Sequence, residues 1–164
     1  PRLVIAGDGE RRESLSRLAR GLGLGAAVRF AGRCSRSDVA RLRQRATALV
    51  VPSTYEGMPL VILEAMDDSV PVIASAVSGI PEVVVDGETG WLVPPERSSA
   101  LADALIAATS DAAEARRRGE AGRRRLDQGY RPRHAAQEWL KAVGLQAVER
   151  AGGPAPPVWK NPDG

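Results

Sequence analysis

Short, continuously apolar runs separated by stretches of helical periodicity constrain this chain more than any other feature. Leu3-Val4-Ile5-Ala6, Val28-Arg29-Phe30-Ala31, Ala48-Leu49-Val50-Val51, Val70-Pro71-Val72-Ile73-Ala74 and Trp91-Leu92-Val93 all have strand length, and glycine or proline closes most of them. Between the first two, Leu15, Leu18, Ala19 and Leu22 recur at helical spacing, which predicts a helix over residues 10–22. Val39, Leu42 and Ala46 share the face of a second helix, for which Ser37 or Asp38 is the expected cap. A third helix is expected over residues 59–68, with proline at a helix-compatible first position and Glu64 about two turns inside. A short helical turn follows near residues 81–84. Beyond Pro94-Pro95 the pattern is helical over residues 99–108, 112–127 and 132–150.

Strands that are apolar throughout, rather than alternating, are buried on both faces. Separated by helices, they call for an α/β fold with an open parallel sheet and helices on both sides. Such sheets bind ligands beyond the carboxyl ends of their strands. Chemistry is therefore expected in residues 7–10, 32–35, 53–59, 75–80 and 86–90.

A chain of 164 residues supplies one domain with a real core and little more, and the Gly/Pro-rich residues 151–164 read as a disordered tail. The single Cys34 excludes an intrachain disulfide framework and a thiolate zinc cluster, and it suggests a reducing compartment. The single His134 excludes a multi-histidine metal site. No apolar run approaches the roughly 18–20 residues of a membrane span. The net charge of +3 comes largely from Arg116-Arg117-Arg118, Arg123-Arg124-Arg125, Arg131 and Arg133. With glutamate and aspartate interspersed and no aromatic residues among the arginine triplets to stack bases, this stretch reads as a solvated helix face rather than a nucleic-acid grip.

The densest candidate site is Pro52-Ser53-Thr54-Tyr55-Glu56-Gly57-Met58-Pro59-Leu60-Val61-Ile62-Leu63-Glu64. Glu56 precedes the predicted helix and Glu64 lies within it, so both carboxylates can reach one bound molecule at different points. Gly57 permits close approach of the backbone, and free amides at Met58, Leu60 and Val61 face an anion at the positive helix end. A nucleotide sugar has the matching order of sugar, diphosphate and ribose. On spacing alone, Glu56 as a capping carboxylate and Glu64 as an exposed helix residue is the plainer alternative.

The segment Glu56-Gly57-Met58-Pro59-Leu60-Val61-Ile62-Leu63-Glu64 resembles the E-x7-E motif of retaining GT-B glycosyltransferases, especially glycosyltransferase family 4. Its companions stand in family order: Leu3-Val4-Ile5-Ala6-Gly7-Asp8-Gly9-Glu10, Val28-Arg29-Phe30-Ala31-Gly32, Pro71-Val72-Ile73-Ala74-Ser75, Ser78-Gly79-Ile80-Pro81-Glu82 and the run from Asp86 through Gly90-Trp91 to Pro95. The resemblance implies a Rossmann-like domain, residues 1–150, forming the carboxy-terminal, donor-binding half of a GT-B fold. It implies transfer from a UDP- or GDP-sugar with retention of configuration and without a required metal or other cofactor. It assigns Glu56 to the donor sugar, Glu64 to the ribose, Gly57, Met58, Pro59 and Leu60 to the sugar and diphosphate, and Gly32 and Arg33 to the loop near the base.

The resemblance also sets expectations by difference. Family members carry, before the strand matching Leu3, another strand followed by an arginine and a lysine that neutralise the diphosphate. The chain is thus expected to begin one strand late and to leave apolar surface uncovered. It is expected to be inactive without an amino-terminal acceptor-binding domain. A cytoplasmic setting, with peripheral association at the inner face of a membrane, is expected and nucleic acid is not. Asp67 and Asp68 stand unfavourably at a helix carboxyl end, and Ser69 and Ser78 stand where glycine is usual. A nucleotide-sugar-binding or assembly module without catalysis is the alternative.

Overall fold

The computed structural model describes residues 1–57 and 59–130. The predicted helix at 132–150, the tail at 151–164, His134 and Met58 lie outside the described residues. The strands are β1 (Leu3–Ala6), β2 (Val28–Gly32), β3 (Leu49–Val51), β4 (Val72–Ser75) and β5 (Gly90–Val93). The helices are α1 (Arg12–Gly21), α2 (Arg36–Gln44), α3 (Leu60–Asp67), α4 (Ile80–Val83), α5 (Ser98–Ser110) and α6 (Ala112–Arg125), with a π-helical turn over Leu126–Tyr130.

Every strand pair is parallel, but the hydrogen-bonded order is β1-β2 and, separately, β3-β4-β5. The single open sheet expected from the sequence is thus two parallel sheets among the described residues. The consequence is visible in burial. All residues of β4 are buried, whereas β1, expected as a buried strand, leaves Leu3 at 42% and Val4 at 38% exposure. β1 pairs along one edge only, so its side chains lack the neighbours that close over β4.

Alternation along β4 sends side chains to two cores. Val72 and Ala74 join Ile62, Ala65 and Met66 of α3 on one face. Ile73 joins Trp91, Val93 and Ala104 and Ala108 of α5 on the other. Helices therefore cover both faces of this sheet. α1 is strongly amphipathic, as its periodicity predicts, yet only Ala19 is buried while Leu15, Leu18 and Leu22 are exposed.

The caps explain where several helices begin. Ser35, not Ser37 or Asp38, caps α2: its Oγ accepts from the Asp38 amide at 3.1 Å and the Asp38 carboxylate accepts from the Ser35 amide at 3.1 Å. Ser35 wins because its backbone is extended, which aims the hydroxyl back at the first turn. Asp111 ends α5 and starts α6, its Oδ1 accepting from the Glu114 amide at 2.9 Å. Ser69 and Ser78 do adopt left-handed backbone, with φ of 57° and 47°.

Candidate functional site

Because the strands are parallel, the loops after β1 to β5 mark the ligand-binding ends of their sheets. Four of the five expected segments follow a strand. Residues 86–90 do not: they precede β5, and Gly90 pairs with Val72 at the start of β4. That turn belongs to the opposite end, which corrects the sequence reading. It is built for structure, with the buried Thr89 Oγ1 accepting from the Val85 amide at 2.8 Å and Asp86 Oδ1 from the Leu92 amide at 2.9 Å. The segment after β5, residues 94–97, takes its place at the binding end; Glu96 there has a φ of 59°.

The loop after β3 carries Glu56 to the amino end of α3. Ser53 Oγ donates to Glu56 Oε2 at 3.4 Å, and the carboxylate is half-buried. Pro59 is the N-cap of α3 and offers no side-chain cap, and the first turn holds no acidic residue. Among the described residues Glu56 accepts no hydrogen bond from an α3 amide, unlike the capping carboxylate of the plainer reading. A helix start without compensating charge or side-chain acceptor leaves its first amides and its dipole available to an anion. Pro59 is buried and Gly57 exposed, while Leu60 stands 71% exposed at the helix start.

Glu64 is the fifth residue of α3, just over one turn from its start and about 6 Å along the axis, closer than the two turns expected. Its carboxylate is held from α2. Arg43 Nη1 donates to Glu64 Oε2 at 2.6 Å, and Arg43 Nε donates to Asp68 Oδ2 at 2.7 Å. The sequence reading missed Arg43. The available signal was that Glu64 and Asp68, four residues apart, share a helix face and so present one acidic stripe to a basic neighbour. The same contacts answer the expected conflict of acidic residues with the α3 dipole: Asp68 is paired with Arg43, and Asp67 Oδ1 lies 3.2 Å from Arg123 Nη1.

Gly32 and Arg33 lie at the end of β2, in the other sheet. Gly32 is buried with a φ of 69°, and its carbonyl accepts from the Gly7 amide at 2.9 Å. The Arg12 guanidinium lies 3.0 Å from where a side chain at Gly32 would start. Arg33 is exposed, and Cys34 Sγ donates to the Gly32 carbonyl at 3.4 Å. The structure thus brings Glu56, Gly57, Pro59, Leu60 and Glu64 together on one loop and helix. It links them to the Gly32–Arg33 segment through α2, which begins beside that segment and ends on Glu64.

Four of the six arginines of α6 reach backbone carbonyls, while Arg116 and Arg124 stay on the solvated face the sequence leads one to expect. Arg117 donates to the Gly87 carbonyl at 2.8 Å, Arg118 to Gly90 at 2.7 Å, and Arg125 to Val83 and Glu82 at 2.8 Å each; Arg123 donates to the Asp67 carbonyl. Arg118 also stacks on Trp91, 4.1 Å from the ring centroid. Spacing could not reveal this, because the carbonyls lie far away along the chain. Among the described residues no helix is long and apolar enough to cross a membrane. Nor do three His, Cys, Asp or Glu side chains gather there as a metal site requires.

A family model described as "Glycosyl transferases group 1" matches residues 1–125. Glycogen synthase of Mycobacterium tuberculosis is 37% identical over 128 residues, covering 78% of this chain and 31% of that protein. Sucrose-phosphate synthase from Thermosynechococcus elongatus superposes with a TM-score of 0.76 at 36% identity, covering 87% of this chain and 37% of that one. Anabaena HepE, solved with UDP, superposes with a TM-score of 0.79 at 24% identity, covering 87% and 40%. The chain spans about a third of the length of the glycogen synthase it matches.

Proposed function

The chain belongs to the group 1 glycosyl transferases, and from that premise we propose that it is the nucleotide-sugar-binding domain of a retaining enzyme of glycosyltransferase family 4. In this reading residues 1–150 form the donor half, and an amino-terminal acceptor domain is needed for transfer. The observation that carries it is the start of α3, which has neither a capping side chain nor an acidic first turn and is flanked by Glu56 and Glu64. A diphosphate sits at that positive end, with the sugar toward Glu56 and the ribose toward Glu64. Gly32 and Arg33 stand near the base. UDP- and GDP-sugars are the donor class; the UDP bound to HepE, which shares the fold, makes UDP the first probe.

The chemistry this site supports is positioning and charge stabilisation. As the bond from sugar to diphosphate breaks, negative charge grows on the leaving phosphate, where the first amides of α3 and the bare backbone of Gly57 donate. Glu56 orients the sugar. The two glutamates are not an acid and nucleophile astride one bond, because Glu64 is engaged with the ribose. No metal or other cofactor has a part in this reading. A cytoplasmic setting at the inner face of a membrane belongs to it, with the lone cysteine as support.

Calorimetric titration with UDP, GDP and UDP-glucose tests the proposal. Glu64→Ala should weaken every nucleotide about tenfold, the weight of a charge-assisted hydrogen bond. Glu56→Ala should weaken UDP-glucose and leave UDP within about twofold. Unchanged affinity of both variants for every probe rules out the assignment. Binding to DNA or anionic vesicles, with no nucleotide bound at about millimolar concentration, overturns the function itself.

A further inference from the structure

Arg43 differs from most cations of this chain in what it joins. Arg12, Arg41, Arg116 and Arg117 form ion pairs three or four residues away along the chain. Arg43 ends α2 and reaches α3 with a side chain only 9% exposed. Its Nε is fixed on Asp68, itself 19% exposed and also within 3.4 Å of Gln44 Nε2. That anchor leaves the Nη1 arm of the fork to hold Glu64 Oε2 at 2.6 Å. Glu64 is 54% exposed, and its Oε1 accepts no hydrogen bond from the described residues.

An exposed glutamate on a helix samples many rotamers and must be ordered when a ligand arrives. A carboxylate already held by a buried, doubly bonded guanidinium has lost that freedom beforehand, and pre-organisation of this kind strengthens binding. Each carboxylate oxygen has two lone pairs, so Glu64 retains capacity for a vicinal diol while Arg43 occupies one site. The planar fork matters, because a lysine ammonium is a point charge on a flexible stem and does not impose the same geometry.

We propose that Arg43 is the positioning residue of the ribose site: it holds the Glu64 carboxylate in the orientation that accepts the 2′ and 3′ hydroxyls of the bound nucleotide. The proposal rests on the assignment of Glu64 to the ribose made above. It gives α2 a second task, since that helix starts beside Gly32 and Arg33 and thereby ties the base segment to the ribose carboxylate.

The test is calorimetric titration of the full chain with UDP and with 2′,3′-dideoxy-UDP, the guanosine pair being run in parallel. Wild-type protein should prefer the ribonucleotide by about tenfold, one charge-assisted hydrogen bond. Arg43→Met should abolish that preference while leaving dideoxynucleotide affinity within about twofold. Arg43→Lys, which keeps the charge and protects against misfolding around Asp68, should show an intermediate preference. Wild-type protein that does not distinguish the two nucleotides overturns the Glu64 assignment and the proposal with it. Wild-type preference that persists in both variants, or an equal loss of affinity for both nucleotides, overturns the role of Arg43 alone.

Discussion

Among the described residues Glu114 is the most strongly perturbed carboxylate, although it is not deeply buried. Arg117 donates to both its oxygens at 2.7 Å, and Arg118 donates to Oε1 at 2.7 Å. These hydrogen bonds, Arg117's first, hold its pKa down to about 2 from an ordinary 4.5. A depressed native pKa means that the unfolded chain takes up the proton first as pH falls. The stabilisation is therefore complete above about 4.5 and is lost as pH falls toward about 2. Urea unfolding of wild type and Glu114→Gln should give a stability difference that is flat near neutrality and shrinks below that upper value. A difference independent of pH across the window refutes the linkage. Ser69 offers a second test. Its φ of 57° strains a side chain that glycine would not carry. Relief of about 1–2 kcal/mol less the entropy cost of glycine predicts that Ser69→Gly stabilises by about 0.5–1 kcal/mol. A lowered denaturation midpoint would contradict it.

At the scale of elements, α6 secures the turns around the second sheet through backbone carbonyls, and two of its glycines permit the approach. A side chain begun at Gly119 would lie 2.0 Å from the Ser69 carbonyl oxygen, and backbone there has little room to retreat. At Gly122 the nearest atom is the flexible Met66 Cγ at 3.4 Å. Gly119→Ala should therefore cost about 2 kcal/mol or more. Gly122→Ala should stay within about 1 kcal/mol of wild type, since helix propensity favours alanine by a similar amount. Thermal unfolding of the two variants decides, and equal shifts would show that the close crossing is not what limits position 119. The elements themselves were largely legible. Apolar runs, most of them closed by glycine or proline, located the described strands to within about two residues because those signals are local. The cap of α2 was misassigned, because which hydroxyl faces the first turn depends on backbone direction that residue identity does not give.

At the scale of the molecule, burial is uneven. β4 and the apolar faces of α3 and α5 are enclosed, whereas Leu3, Val4, Leu15, Leu18, Leu22 and Leu24 of the first sheet's region remain exposed. Local opening costs least where few apolar contacts close over the backbone. Amide hydrogen exchange should be slowest in β4, β5 and α3 and faster by orders of magnitude in β1 and α1. Equal protection of the two sheets would mean that they open as one unit. The division was not legible in the apolar runs, which look alike in all the strands; pairing partners, and not composition, decide which run is buried.

The order of strands and helices, the parallel arrangement and the two glutamates around a helix start were determined by the sequence alone, because periodicity, turn residues and spacing act over a few residues. The tertiary structure decided what lies far apart along the chain. It moved the Asp86 turn to the opposite sheet end, directed four of the α6 arginines onto carbonyls, and brought Arg43 onto Glu64 and Asp68. Those contacts depend on how helices cross, and a crossing is set by packing among residues that share no local pattern.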